Sequence, residues 1–146
     1  MLTNLRKVTS SDIPLLIALE GMAGTKTYSP MLKQDEWEEE IKNNFVFLIE
    51  KDGIVVGNFS YEKKSEDHIY ISGLIVIPEF QGQGIAREVM NNILEQFKEI
   101  KRIDLVTHPD NVIALKLYQS LGFEVESRKE NYFDDGEPRL MLVLKK

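Results

Sequence analysis

Residues 72–90 read "SGLIVIPEFQGQGIAREVM". Ser72 to Ile77 is an apolar run of the kind a sheet buries, and Pro78 closes it, because proline brings no N–H to a strand ladder. Three small residues follow, Gly82, Gly84 and Ala86. From Gly84 to about Ile100, Ile85, Val89, Ile93, Phe97 and Ile100 recur every three or four positions, the period of an amphipathic helix. A helix start carries unpaired N–H groups and the positive end of a dipole. Glycines in front of it remove the side chains that would keep an anion away. The stretch is shaped to cradle a phosphate or pyrophosphate; taken alone, it is equally a glycine turn with no guest. Arg87 stands where G-x-G-x-x-G needs its last glycine, and no Gly-Lys-Ser/Thr follows, so the dinucleotide fingerprint and the P-loop both fail.

Upstream, "NLRKV" (4–8) reads as a first strand. "SSDIPLLIALEGM" (10–22) reads as a helix, with Ser10, Ser11 or Asp12 as cap and Pro14 in the first turn. "GTKTYSP" (24–30) breaks the pattern. "KQDEWEEEIKN" (33–43) resumes it, with Trp37 and Ile41 on the apolar side and Asp35, Glu36, Glu38, Glu39 and Glu40 as a solvated face. "FVFLIEKDGIVVGNFSYEKK" (45–64) is a hairpin about Lys51-Asp52-Gly53. "DHIYISGLIVI" (67–77) is the third strand of that group. Downstream, "RIDLVTH" (102–108) is a strand and "NVIALKLYQSLG" (111–122) a helix stopped at Gly122. "FEVESRK" and "RLMLVLKK" are the last two strands. This order predicts an α/β (α+β) fold with a mixed sheet and helices on its faces. A helix joins the strand ending at Ile77 to the one beginning near Ile103, so those two should be parallel neighbours.

A length of 146 residues suits one domain, 1–146, and 42% apolar residues supply an ordinary core. No apolar run is long enough for a membrane span, so no membrane role is expected. The 12 N-terminal residues lack the apolar core of a secretory signal. Cysteine is absent, which removes disulfides, thiolate metal ligands and a cysteine nucleophile together, and fits the cytoplasm, the expected location. Twenty-four acidic side chains against 18 basic give a formal charge of −6, which argues against nucleic acid as a partner and suits a cationic substrate.

The stretch "LIVIPEFQGQGIA" resembles the acetyl-coenzyme A motif of the GNAT family of N-acetyltransferases: an apolar strand, a proline, then Q/R-x-x-G-x-G/A, matched here by Gln81, Gly82, Gln83, Gly84, Ile85 and Ala86. "NVIALKLYQSLGFE" (111–124) resembles that family's second motif through Asn111, Ala114, Leu117, Tyr118, Gly122 and Phe123. The order of elements agrees from first strand to last. The resemblance implies a GNAT-like fold whose sheet is mostly antiparallel and opens at one parallel pair. It implies acetyl-CoA as cosubstrate, without a metal, and direct attack by an amine on the thioester. It assigns the pantetheine arm to the backbone of Leu74, Ile75 and Val76 and to Asn111. It assigns the pyrophosphate to the backbone of Gly82, Gln83, Gly84, Ile85, Ala86 and Arg87. Tyr118 becomes the proton donor to the leaving thiolate; on its own it also reads as a core aromatic.

"YSPMLKQDEWEEEI" and "NYFDDGEPRLMLVL" are similar to the branch of the family that acetylates the N-terminal alanine of ribosomal proteins. That branch carries a glutamate base five residues ahead of the asparagine, where this chain has Val106. His108, on the same strand face as Val106 and Asp104, is the candidate base in its place; "HPDN" also reads as a turn, with Asp110 or Asn111 capping. Glu62, Glu79 or water alone are the other options. At pH 7 an unperturbed lysine amine pays about 4.6 kcal/mol to be neutral and an α-amine about 1.4. The expected acceptor is therefore a primary amine, a peptide α-amine ahead of small amines or lysine, and the protein a monomer or homodimer. A coenzyme-A-binding module without chemistry is the alternative.

Overall fold

The computed structural model describes residues 3–23, 28 and 30–145; most of the expected break at 24–30 lies outside them. Strand β1 is Thr3–Lys7, and a 3₁₀ turn, Ser10–Asp12, leads into helix α1, Ile13–Ala23. The cap falls one residue before the expected trio: Thr9 is the capping residue, and the Asp12 carboxylate accepts the Thr9 N–H at 2.9 Å. Helix α2 is Gln34–Asn43. Strands β2 (Phe45–Lys51) and β3 (Ile54–Ser65) form the hairpin. Asp52 (φ 52°) and Gly53 (φ 82°) are both left-handed, as a two-residue turn matched to the strand twist requires.

Strand β4 is His68–Val76 and helix α3 Ile85–Gln96. Strand β5 (Arg102–Thr107), helix α4 (Val112–Ser120) and strands β6 (Glu124–Lys129) and β7 (Arg139–Lys145) complete the chain. Helix α3 stops four residues short of the Ile100 that its apolar period predicts. Phe97 and Ile100 still pack on the core, but from a turn, with the Phe97 ring edge-on to Tyr61 at 5.1 Å. The chain has to come back there to set Arg102 opposite His68.

The seven strands lie in the order β1-β2-β3-β4-β5-β7-β6, and β4–β5 is the parallel pair, as expected. On one face, α3 packs Ile85, Val89, Met90 and Ile93 against Phe59, Ile69, Ile71, Ile103 and Leu105, and Tyr118 of α4 joins this cluster. On the other, α1 and α2 bring Leu16, Leu19 and Trp37 onto Val46, Leu48, Ile75 and Ile77.

The sheet opens at one place. Ser60 pairs with Gly73 and Tyr61 with Ile71, which leaves Ser72 as an extra residue, a β-bulge that bends β4. Pairing of β4 with β5 runs from His68↔Arg102 to Ile71↔Leu105 and ends beside that bulge. Beyond it β4 continues to Val76 along β3, while β5 stays on β7 as far as Thr107↔Leu140. Two strands held by their outer neighbours diverge, and the gap between them is the cleft.

Candidate functional site

One side of the cleft is made largely of backbone. After β4 the chain makes a 3₁₀ turn, Pro78–Phe80, and passes through Gly82 (φ 79°) and Gly84 (φ 80°) into α3. Gln81 ties the loop back, its Nε2 donating to the Val76 carbonyl at 2.9 Å. The first helical bond of α3 is Glu88 N–H to Gly84 O, 3.0 Å, so the N–H groups of Ile85, Ala86 and Arg87 have no partner within the helix. A cavity of about 690 Å³ lies over them, bounded by Leu74 and Val76 of β4, the Gly82–Arg87 turn, and Asn111, Ala114, Leu117 and Tyr118 of α4.

Most of the residues expected on this side are there, and two are not. Ile75 turns its carbonyl to β3, where a Cβ on Gly57 would collide with it, and its side chain enters the α1/α2 core. Leu74 and Val76 alone line the cavity, because alternate residues of a strand face opposite ways. Gln83 faces away, its Oε1 taking a hydrogen bond from the Lys51 ammonium. Asn111 is the cap of α4: its Oδ1 accepts the Ala114 N–H at 3.2 Å, which leaves its amide N–H groups for the cleft. Tyr118 is 8% exposed, with its ring edge-on to Phe123 at 5.9 Å. Burial alone pushes its hydroxyl up to about 12.

The other side is made of side chains. A second cavity, about 340 Å³, shares Leu74, Asn111, Ala114 and Tyr118 with the first. It runs from there under α2. Glu20 of α1, 2% exposed, holds its wall together. Its carboxylate accepts Tyr28 Oη at 2.7 Å, the Met31 N–H at 2.9 Å and Asn58 Nδ2 at 3.2 Å. Burial and then the Glu20 charge keep the Tyr28 hydroxyl protonated far above its usual range. Trp37 Nε1 donates to Met31 O at 2.9 Å, closing the same loop. At the far wall, Arg139 (3% exposed) pairs with Asp135 at 3.0 Å and lies over the Phe133 ring. Glu40 of α2 accepts the Ser72 hydroxyl at 3.2 Å, and burial lifts its carboxyl above the ordinary range.

The expected base is placed elsewhere. His108 is 2% exposed and lines neither cavity. Its Nδ1 accepts the Asp110 N–H at 3.0 Å, so Nε2 carries the proton and donates to Glu137 Oε1 at 2.7 Å; no ring nitrogen is left to take a proton from an amine. Glu62 is tied to Lys64 and Asn44, and Glu79 lies on the exposed turn before the cradle. Val106 does line the second cavity, with no titratable group to offer. Glu20 and Glu40 are the functional candidates that sequence reasoning missed. For Glu40 a signal existed: it lies three residues after Trp37, so it borders the buried stripe of α2. Among the described residues no group of three metal-binding side chains is gathered.

The sequence model of the acetyltransferase (GNAT) family matches residues 16–123. A Bacillus subtilis protein named as a candidate ribosomal protein bS18-alanine N-acetyltransferase is 27% identical over 142 residues, covering 94% of this chain and 91% of its own. The crystal structure of the Escherichia coli ribosomal-protein alanine N-acetyltransferase matches with a TM-score of 0.82 at 18% identity, over 99% of this chain and 94% of that one. Arabidopsis thaliana Naa50, solved with the bisubstrate analogue CoA-Ac-MVNAL, gives a TM-score of 0.81 at 20% identity over 100% of both chains. At these identities the two structures establish a shared fold.

Proposed function

The chain belongs to the GNAT family of acetyltransferases, and from that premise we propose that it carries the acetyl group of acetyl-CoA to the α-amine of a peptide. The observation that carries the reading is the junction of the two cavities at Leu74, Asn111, Ala114 and Tyr118. A thioester lying in the first cavity meets there an amine entering from the second.

The parts fit the cosubstrate. The open N–H groups of Ile85, Ala86 and Arg87 suit a pyrophosphate, and the edge of β4 at Leu74 and at the Val76 N–H, with the Val76 carbonyl held by Gln81, suits the amides of the pantetheine arm. The amine nitrogen attacks the thioester carbonyl carbon and the C–S bond breaks. Tyr118 protonates the departing sulfur and regains a proton from the newly acylated nitrogen. Burial holds the Tyr118 hydroxyl well above an ordinary phenol, so complete transfer of its proton to a thiolate is uphill. The hydroxyl therefore acts first as a hydrogen-bond donor to the developing charge, and transfer completes as the nitrogen's proton returns. For the acceptor, support comes from the lower cost of neutralising an α-amine and from the names of the relatives, several of which act on N-termini.

The test is a competition. The protein is given acetyl-CoA with an alanine-initiated peptide amide, the same peptide acetylated at its terminus and carrying one lysine, and spermidine, while free thiol and product mass are followed. The free α-amine should show the highest kcat/KM. A win for lysine or spermidine overturns the acceptor, and coenzyme A binding without thiol release from any amine favours the non-catalytic module.

A further inference from the structure

The second cavity has a proton acceptor that the motifs do not supply. We propose that Glu40 receives the acceptor's ammonium group in this cavity and removes its proton, making Glu40 the general base of the transfer. This rests on the acetyl-transfer reading above.

Glu40 faces the cavity that meets the cosubstrate cleft at Tyr118, and its carboxylate is hydrogen-bonded to Ser72, the bulge residue beside which β4 leaves β5. The base is thus one hydrogen bond from the strand segment along which a thioester would lie, across from the proton donor. The Glu20 oxygens are taken by Tyr28, Met31 and Asn58, Glu36 lies toward the open rim, and both His108 nitrogens are engaged. Glu40 takes the Ser72 hydroxyl on Oε1 and has the Asn44 amide as a further partner; of the carboxylates on this cavity it is the one bonded to the bulge residue.

The balance closes. The ammonium gives one proton to the Glu40 carboxylate, leaving a neutral amine and a carboxylic acid. The amine forms the C–N bond as the C–S bond breaks, Tyr118 protonates the sulfur and is restored from the amide nitrogen, and Glu40 releases its proton to water. Burial is the main reason the carboxyl titrates above the ordinary range. The Asn44 amide lowers it, Glu62 on β3 raises it, and Ser72 and Lys64 lower it again. Glu36 on the same helix, Glu20 on α1 and Arg139 on β7 are the other charged groups on the cavity wall. A base of that kind must be ionised to act, so kcat/KM should rise with pH through a limb lying above the usual carboxylate range, and again as the amine itself titrates.

Glu40→Gln keeps the shape and the Ser72 contact. It should lower kcat/KM by about 10²-fold or more, abolish the acidic limb, and leave coenzyme A affinity unchanged. Glu40→Asp should restore part of the rate with the limb. Glu62→Gln should move the limb to lower pH, because it removes a like charge, which a purely structural Glu40 would not show. A second readout is free of turnover: in protein carrying ¹³C-carboxyl glutamate, with coenzyme A present, an alanine-initiated peptide amide should shift the Glu40 resonance. An acidic limb that survives in Glu40→Gln overturns the proposal, and so does a Glu40 resonance indifferent to the peptide. A resonance that responds in a protein that transfers no acetyl group keeps the ammonium site and sinks the acetyl-transfer reading instead.

Discussion

The two halves of the cleft are built from different materials. Around the first cavity, the side proposed for the cosubstrate, the open polar groups are mainly backbone: the N–H groups opening α3, the edge of β4, and two glycines at positive φ that keep Cβ atoms out of the way. On the acceptor side they are side chains from α1, α2, β3, β4 and β7, fixed by bonds such as Glu20 to Asn58 that join residues 38 apart in sequence. A backbone site holds a group common to every reaction of its kind. A side-chain site can be rewritten residue by residue while the sheet stays the same, and a choice of acceptor belongs there.

Tyr118 stands on the seam and breaks the comparison most sharply. Tyr118→Phe should lower turnover by about 10²- to 10⁴-fold with coenzyme A affinity unchanged by calorimetry. If turnover persists under conditions where chemistry limits the rate, the ring is only a core aromatic, and if affinity falls as well, the halves are not separable. Gly84 probes the backbone side. At φ 80° a β-branched residue is strained, so Gly84→Val mixes lost stability with lost binding. Gly84→Asn tolerates the left-handed backbone and still puts a side chain at the cradle. It should keep its melting temperature and lose about 10- to 100-fold in coenzyme A affinity, the worth of one charge-assisted hydrogen bond. Unchanged affinity would remove the anion from the cradle. The smallest effect on the reaction is expected at His108. His108→Ala should cost about 1–3 kcal/mol of stability, read by chemical denaturation, through the loss of a buried ring and its two hydrogen bonds, and leave the acidic limb of the pH profile in place. Loss of that limb would return the base role to His108.

What was legible in the sequence follows the same division. Asp52-Gly53, Pro78, Gly82, Gly84 and Gly122 each require a local backbone geometry, so the hairpin, the strand end, the cradle and the stop of α4 could be read residue by residue. Asn111 was legible as a cap or as a ligand contact; the structure shows the cap, with Oδ1 on the Ala114 N–H, in a residue that also lines the cavity. His108 looked free because a sequence does not show that Glu137, 29 residues away, accepts the hydrogen bond of its Nε2–H. Glu40 looked solvated among its acidic neighbours; its spacing from Trp37 marks it as bordering the buried stripe, but only the fold lays Ser72 beneath it. The end of α3 was misplaced for a related reason: a period of three and four records which residues touch the core, and Phe97 does so from a turn.

The extra residue at Ser72 also works as a phase shift. Ahead of it the side chains over the α3 face are Ile69 and Ile71, at odd positions; after it they are Leu74 and Val76, at even ones, while Ile75 and Ile77 cross to the α1/α2 core. A strand of strict period two has no way to do this. One inserted residue thus reassigns the odd and even residues of half a strand between two hydrophobic cores, and with them the direction of every N–H and carbonyl from 73 to 76. The opening of the sheet and the sorting of its core are therefore a single trait, and the cleft cannot be closed by regularising the strand without exchanging the residues on which both cores are packed.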